Sequence, residues 1–239
     1  MDFPVEFCKI KVISKGVVNL RTGVIMTDSK ASGTDVYQGR QGKRNARIFN
    51  SFLRKLVERH YAYPGKQALE FLDFHGTELV LDAGSGSGFY TFQIAERLTH
   101  GKILALDSSA EMLRVLRKEV LKKKYSRRVE ALECNILDVP LADEIADAAV
   151  SFFTWHYIEN PLESALELFR MIKPGGKVFI CDFNMNGSTQ HSHNSSDSYP
   201  KRPFTQKDMK NTLEEAGFSG VRAFVHHNKL VLGTGVKPL

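Results

Sequence analysis

Residues 79–88, Leu-Val-Leu-Asp-Ala-Gly-Ser-Gly-Ser-Gly, constrain the fold more than any other segment of the chain. A short apolar run ends in Asp82, glycines stand at 84, 86 and 88, and a helical pattern begins at Phe89. Glycine accepts positive φ and carries no Cβ, so such a loop lets main chain approach a ligand closely. A helix opening behind it favours a carboxylate or phosphate at its N-terminus. The next apolar run, Ile103 to Leu106, ends in Asp107, which is placed to accept hydrogen bonds from both hydroxyls of a ribose. These features predict a nucleoside cofactor site, and by themselves leave open which nucleoside.

The pattern on either side of this loop predicts the architecture. Pro64 opens a short helix carrying Ala68, Leu69 and Leu72, and Phe89 to Leu98 is helical. Ser108 and Glu111 have capping-box spacing before a helix over Met112 to Leu121. Further strands are expected at Val129 to Cys134, Ala148 to Phe153 and Val178 to Cys181. Between the last two, Asn160 and Glu163 repeat the box spacing, Pro161 opens a helix, and Pro174-Gly-Gly176 stops it. A helix over Thr205 to Ala216 precedes strands at Val221 to His226 and Leu230 to Val236, too close together to be other than antiparallel. Strands alternating with helices predict an α/β fold: a doubly wound, mainly parallel sheet of seven strands with an antiparallel last strand. Residues 64–239 form this domain. Residues 1–63 are expected to be an appendage of a small β arm (Phe7 to Ile13, Val17 to Met26), a polar linker over Asp28 to Arg44, and a cap helix built on Ile48, Phe52 and Leu56.

Composition narrows the class. Apolar residues make up 42% of the 239 residues and charged ones 25%, ordinary values for a globular protein. No apolar run approaches the roughly 20 residues that cross a bilayer, and the opening Met1-Asp-Phe-Pro-Val-Glu6 is acidic where a secretory signal is basic. The expectation is a cytoplasmic protein with no membrane partner. Cys8, Cys134 and Cys181 share no Cys-x-x-Cys spacing and read as small buried hydrophobes. The formal charge of +6 invites a nucleic-acid partner. Its densest run, from Arg114 to Arg128, begins on a helix and ends in a helix-to-strand loop. Such loops lie at the sheet edge opposite the ligand crevice, so a solvated helix face is favoured.

A dinucleotide site would use the same physics, but its G-x-G-x-x-G fingerprint places glycine where this chain has Phe89 counted from Gly84, or Thr91 counted from Gly86. The arrangement Asp82-x-Gly84-x-Gly86-x-Gly88 instead resembles motif I of the class I S-adenosylmethionine-dependent methyltransferases. Asp107 resembles that family's ribose-binding acid, and Cys134-Asn-Ile-Leu-Asp-Val-Pro140 its adenine-flanking segment. Asp147 to His156 and Ile172 to Lys177 are similar to its fourth strand and to the turn before its fifth. The resemblance implies an enzyme whose cofactor is S-adenosyl-L-methionine. It implies that the Gly84, Ser85, Gly86 and Gly88 amides face the methionine part, that Asp82 positions its amino end, and that Asp107 holds the ribose. Met112 and Ile136 would sandwich adenine beside Asn135, with Ser108 and Phe153 completing the set. Tyr37 stands before the first long helix, where relatives fold a segment over the cofactor. Alternative readings put Met112 in the core, Asp82 as a structural tie within the loop, and Tyr37 loose on the surface.

No catalytic residue is assigned. The donor carries an activated methyl, so positioning and exclusion of water dominate, and a base is needed only if the acceptor loses a proton. His156 is the obvious candidate base, though a histidine that is packed, or that supports the site from behind its lining residues, is the favoured reading. No Asn/Asp-Pro-Pro-Tyr sequence follows Phe153, which argues against a nucleobase amine acceptor. Phe152, Phe153, Trp155 and Tyr157 suggest an apolar acceptor pocket, with core packing accounting for at least half of them. Residues Asn184 to Pro203 read as a lid over it, and His191 and His193 alone make a poor metal site. A small-molecule acceptor is expected. The alternatives are RNA or protein methylation, a silent methyltransferase-like subunit, and a nicotinamide oxidoreductase.

Overall fold

The computed structural model describes residues 62–184 and 204–239. In chain order the elements are α1 (Ala62–Leu72), β1 (Leu79–Ala83), α2 (Phe89–Ala95), β2 (Lys102–Asp107), α3 (Ala110–Lys122), β3 (Val129–Glu133) and β4 (Ala146–Phe152). A 3-10 turn (Trp155–Tyr157) follows, then α4 (Pro161–Met171), β5 (Ile172–Phe183), α5 (Gln206–Glu215), β6 (Ser219–His226) and β7 (Leu230–Val236). The N-terminal arm, linker and cap helix, Tyr37 among them, lie outside the described residues, as do positions 185–203 of the expected lid.

Among the described residues the strands make one seven-stranded sheet in the order β3-β2-β1-β4-β5-β7-β6. The pairings β1 to β2, β2 to β3, β1 to β4 and β4 to β5 are parallel. Only β7 runs antiparallel, against β5 on one side and β6 on the other. Period-two alternation sends successive residues to opposite faces. Thus Leu81, Leu104, Leu106 and Ile180 pack under α4 and α5 with Leu168, Met171, Met209 and Leu213. Val80, Ile103, Ala105 and Phe179 pack on the other face with Ala68 of α1, Ile94 of α2 and Leu113 and Leu116 of α3. Both faces are therefore covered, as parallel strands require. The chain order reverses between β1 and β4, and a crevice for ligands is expected at the carboxyl ends of those strands.

Several boundaries moved for local reasons. The cap of α3 is Ser109, whose side chain accepts from Met112 N at 3.3 Å, and Ser108 is left exposed. Asp107 causes this, because its Oδ1 accepts the Ser109 amide at 2.8 Å and holds that residue at the helix threshold. Asn160 makes no cap bond and its side-chain amide donates to Glu163 Oε1 instead, although Pro161 opens α4 as expected. A reciprocal capping box forms at Thr205 and Asp208. Helix α4 ends at Met171, before Pro174, because β5 already begins at Ile172.

Cys134 and Cys181 are buried, in keeping with their hydrophobic character, and burial pushes both thiols up. The basic run lies on α3 and in the loop before β3. Parts of it are structural: Arg117 donates to Ala131 O and Arg128 to Ala95 O. Among the described residues no helix is long and apolar enough to cross a membrane, and no cluster of His, Cys, Asp or Glu is arranged to hold a metal ion.

Candidate cofactor and acceptor site

The carboxyl ends of β1, β2, β4 and β5 each carry a polar or strained residue, and the loops that follow them are tied to one another. Gly84, Gly86 and Gly88 all have positive φ, at 77°, 54° and 92°. They are not equivalent. A Cβ on Gly84 would come within 2.2 Å of Thr154 Oγ1, so bare backbone is needed there for the β4 loop to pack against the β1 loop. A Cβ on Gly86 would meet no heavy atom of the described residues within 4 Å. Among the described residues the middle glycine thus faces open space, the property of a backbone cradle.

The loop amides correct one expectation. Gly84 N and Ser85 N donate to Leu106 O at 2.8 and 2.9 Å, Gly86 N to Asp107 Oδ2 at 2.7 Å, and Gly88 N to Ser85 O at 3.0 Å. They do not form a row of unused donors, because a turn this tight must satisfy its own amides against the end of β2. What the loop presents outward at Gly86 is shape. Ser85 Oγ is buried and finds no hydrogen-bond partner among the described residues.

Asp107 is half-buried at the rim. Burial lifts its carboxyl above the ordinary carboxylate range, against the pull of the Ser109 and Gly86 amides, and Glu133 adds to the rise. Each oxygen accepts one amide, and a carboxylate has about four acceptor positions, so capacity remains for two hydroxyl donors. Asp82 lies deeper, at 1% exposure, and its Oδ2 accepts the Thr91 hydroxyl at 2.5 Å. Its burial raises the carboxyl to about 7, opposed by the Thr91 bond and reinforced by Asp107. The loop-tying reading of Asp82 therefore has a geometric basis.

On the far side of Asp107, Met112 is buried but joins neither of the two core clusters, whereas Ile136 packs into the face under α4 and α5. Asn135 closes a turn in which its Oδ1 accepts Leu137 N at 3.1 Å and its backbone O accepts Asp138 N at 3.1 Å. Cys134 N donates to Asp107 O, which brings this turn to the same strand end.

The aromatic run after β4 divides in two. Phe152 is buried and stacked on Tyr90 at 3.9 Å, and Trp155 is buried on the opposite face against Phe204. Phe153 and Tyr157 stay half-exposed at the edge. Phe153 takes φ 54°, an uncommon conformation for a bulky residue that costs about 1–3 kcal/mol. Its amide bond to Cys181 O at 2.8 Å helps to hold the turn. Thr154 Oγ1 then reaches Gly84 O at 3.2 Å and Phe152 O at 3.1 Å, which joins the two loops. The Phe153 ring lies 4.8 Å from Phe183 and 6.0 Å from Tyr90, giving an aromatic wall beside the glycine loop.

His156 is not merely packed. Its Nδ1 lies 2.7 Å from Asp182 Oδ1, and the same fully buried carboxylate accepts the amides of His156 at 2.9 Å and Phe183 at 2.7 Å. Sequence reasoning missed Asp182, Thr154 and Thr91. A signal for Asp182 existed, since Cys181-Asp182 ends an apolar strand as Leu81-Asp82 and Leu106-Asp107 do.

A doubly wound sheet with β7 reversed, a glycine loop after β1 and an acid ending β2 define the class I S-adenosylmethionine-dependent methyltransferase architecture. A methyltransferase domain family model matches residues 75–217, and the chain belongs to that family. It is 30% identical over 115 residues to the chloroplastic 2-phytyl-1,4-beta-naphthoquinone methyltransferase of Arabidopsis thaliana, covering 47% of this chain and 44% of that protein. To a demethylmenaquinone methyltransferase of Bacillus cereus it is 30% identical over 135 residues, covering 56% and 55%. The chain spans about half the length of the curated relatives it matches. Among solved structures, an S-adenosylmethionine-dependent methyltransferase from Aquifex aeolicus shares the fold with a TM-score of 0.61 at 23% identity, covering 78% of this chain and 97% of that one.

Proposed function

We propose that this chain binds S-adenosylmethionine across the Gly84–Gly88 loop and transfers its methyl group to a small, largely apolar acceptor. The observation that carries the proposal is the open cradle at Gly86 beside an Asp107 carboxylate with acceptor capacity to spare. In this reading Asp107 holds the ribose hydroxyls, and Met112, Asn135 and Ile136 border the adenine with Ser108 at the rim. Gly84 and Gly88 keep the loop packed, Ser85 lines it, and Asp82 fixes the loop through Thr91 and in that way positions the part of it that meets the amino end of the methionine. Phe153 and the Phe183 ring bound the acceptor side. Tyr37 remains a proposed cover, outside the described residues.

When bound, the cofactor supplies a methyl carbon already activated by a sulfonium. The chain's work is to orient the acceptor and exclude water, which together contribute roughly 7–11 kcal/mol when the geometry is right. The aromatic wall of Phe153, Phe183 and Tyr90 supports a flat apolar acceptor, and the relatives just described carry naphthoquinone and menaquinone names. The placement of the basic run on α3, which leads away from the carboxyl edge of the sheet, supports a small molecule over a nucleic acid.

Calorimetry with S-adenosylmethionine and with NAD tests the cofactor. Micromolar binding of the first and none of the second is expected, and the reverse order would replace methyl transfer by oxidoreduction. Release of S-adenosylhomocysteine with reduced naphthoquinones then tests turnover. A protein that binds the cofactor and yields no product with any acceptor would be a silent binding subunit.

A further inference from the structure

Resting on the methyl-transfer reading, we infer that His156, positioned by Asp182, is the proton acceptor of the reaction, and that the substrate is a compound with a hydroxyl on an aromatic or enolic carbon. The argument begins at Asp182. The residue is fully buried at the end of β5 and accepts two backbone amides, from His156 and Phe183. Amides only donate, so both bonds require acceptor oxygens, and the carboxylate form satisfies them. The contact with His156 Nδ1 at 2.7 Å is then a bond that the imidazole donates. With the proton on Nδ1, the neutral ring carries its lone pair on Nε2, and the ring plane is fixed by the carboxylate behind it.

Position completes the inference. His156 lies in the 3-10 turn that follows Thr154, whose hydroxyl is bonded to Gly84 of the cofactor loop. Its ring lies 5.1 Å edge-on from Phe183 and 4.0 Å from Tyr157, which sets it in the same aromatic wall as Phe153. Asp182 of β5 and Tyr157 of its own turn are titratable groups of the described residues in contact with the ring. A base so placed has no use if the acceptor nucleophile already carries a lone pair and no acidic proton. It is needed where the nucleophile is generated by loss of a hydroxyl proton, and the aromatic wall fits the planar ring of a phenol or enol.

The step balances as follows. Nε2 takes the hydroxyl proton. The freed electron pair attacks the methyl carbon from oxygen, or from the conjugated ring carbon, whose own hydrogen then returns to the oxygen. The carbon–sulfur bond breaks with its pair left on sulfur, giving the thioether. The imidazolium formed is stabilised by Asp182 and releases its proton to solvent.

The test uses the full chain, 1,4-dihydroxynaphthalene under reducing conditions as acceptor, and the variants His156→Gln and Asp182→Asn. Nitrogen-15 NMR of the wild-type imidazole with S-adenosylhomocysteine bound should show the Nδ1–H tautomer, and Asp182→Asn should mix the two tautomers. A proton on Nε2 in the wild type overturns the inference whatever the turnover. In kinetics, both variants should keep cofactor affinity within twofold. His156→Gln should lose about 10²–10⁴ in kcat at neutral pH, the usual contribution of a positioned base. That loss should shrink as pH approaches about 10, where a phenolic hydroxyl ionises unaided. A loss equal at every pH, or none, overturns the assignment and shows a structural histidine. Failure of a cofactor-binding wild type to turn over the diol overturns the substrate class, whereas failure to bind S-adenosylmethionine at all overturns the underlying methyl-transfer reading.

Discussion

The two glycines at 84 and 86 share a left-handed backbone yet should respond to alanine to different degrees and for different reasons. At Gly86, φ is 54° and an added Cβ meets nothing within 4 Å. The cost of Gly86→Ala is therefore the left-handed conformation alone, about 1–2 kcal/mol. For a domain of this size each kcal/mol moves Tm by roughly 2–4 °C, so the unliganded variant should melt about 2–8 °C lower. At Gly84 the same strain is joined by a contact 2.2 Å from Thr154 Oγ1 and 2.3 Å from its Cγ2. Gly84→Ala must therefore displace the loop after β4 and should melt lower than Gly86→Ala. Ligand response inverts the order of interest. S-adenosylhomocysteine at 100 times its Kd should stabilise the wild type by about 2.7 kcal/mol, and Gly86→Ala should lose most of that shift because its new methyl occupies the cradle. Differential scanning fluorimetry with and without the ligand reads both quantities. A Gly86→Ala protein that keeps the full wild-type shift would mean that the open space at residue 86 is not where the ligand lies.

Asp107→Ala should weaken S-adenosylhomocysteine binding by roughly 10- to 150-fold per lost charged hydrogen bond, measured by calorimetry. It should also lower Tm by a few degrees, since the carboxylate ties the Gly86 and Ser109 amides. Asp82 holds its proton up to about pH 7 in the folded protein, whereas the unfolded chain releases it near 3.8. Between those values the native state binds more protons, so stability falls as pH rises, at up to about 1.4 kcal/mol per unit. Asp82→Asn should flatten that part of the urea-midpoint profile, and an unchanged slope would refute the burial argument. Cys134 and Cys181 should resist iodoacetamide in the native protein and react only in denaturant, as read by peptide mass spectrometry. Replacing Lys122, Lys123 and Lys124 with Gln should leave S-adenosylhomocysteine affinity within twofold, because all three are exposed beyond the far end of α3.

Sheet and glycine loop were legible because their signals are local. An apolar run, an acid and three glycines within ten residues specify strand, turn and helix without reference to the rest of the chain. Antiparallel β7 was legible for the same reason, since the three residues 227–229 leave no length for a crossover. The contacts that were not legible bridge long separations. Asp182 reaches His156 across 26 positions, and Thr154 reaches Gly84 across 70. The cap of α3 failed at shorter range for a related reason. Ser108 and Ser109 are equivalent as residue types, and the choice between them is made by Asp107 Oδ1, which takes the Ser109 amide. The division of the aromatic run was likewise undecidable from residue type, because a turn at φ 54° leaves Phe153 at the edge of the face in which Phe152 is buried, while Trp155 goes to the opposite face.

Three strands, β1, β2 and β5, carry an apolar residue followed by an aspartate that stands in one of the last two positions of their carboxyl ends, and the fold gives the three acids different electrostatic situations. Each lies where the following loop turns back over a strand end, which is where backbone amides and side-chain donors converge on a carboxylate. Asp82 receives one hydroxyl and no amide bond seen in this loop, so desolvation prevails and its carboxyl rises to about 7. Asp107 receives two amides and sits at the rim, so it retains room for hydroxyls from outside. Asp182 receives two amides and an imidazole and is fully buried, so three of its roughly four acceptor positions are used within the chain and burial closes it to outside donors. Of the three, only Asp107 combines charge, exposure and spare acceptor capacity, which argues that it meets the ligand directly. The other two act through Thr91 and His156, and substitutions at them should alter the behaviour of those partners before they alter the cofactor's grip.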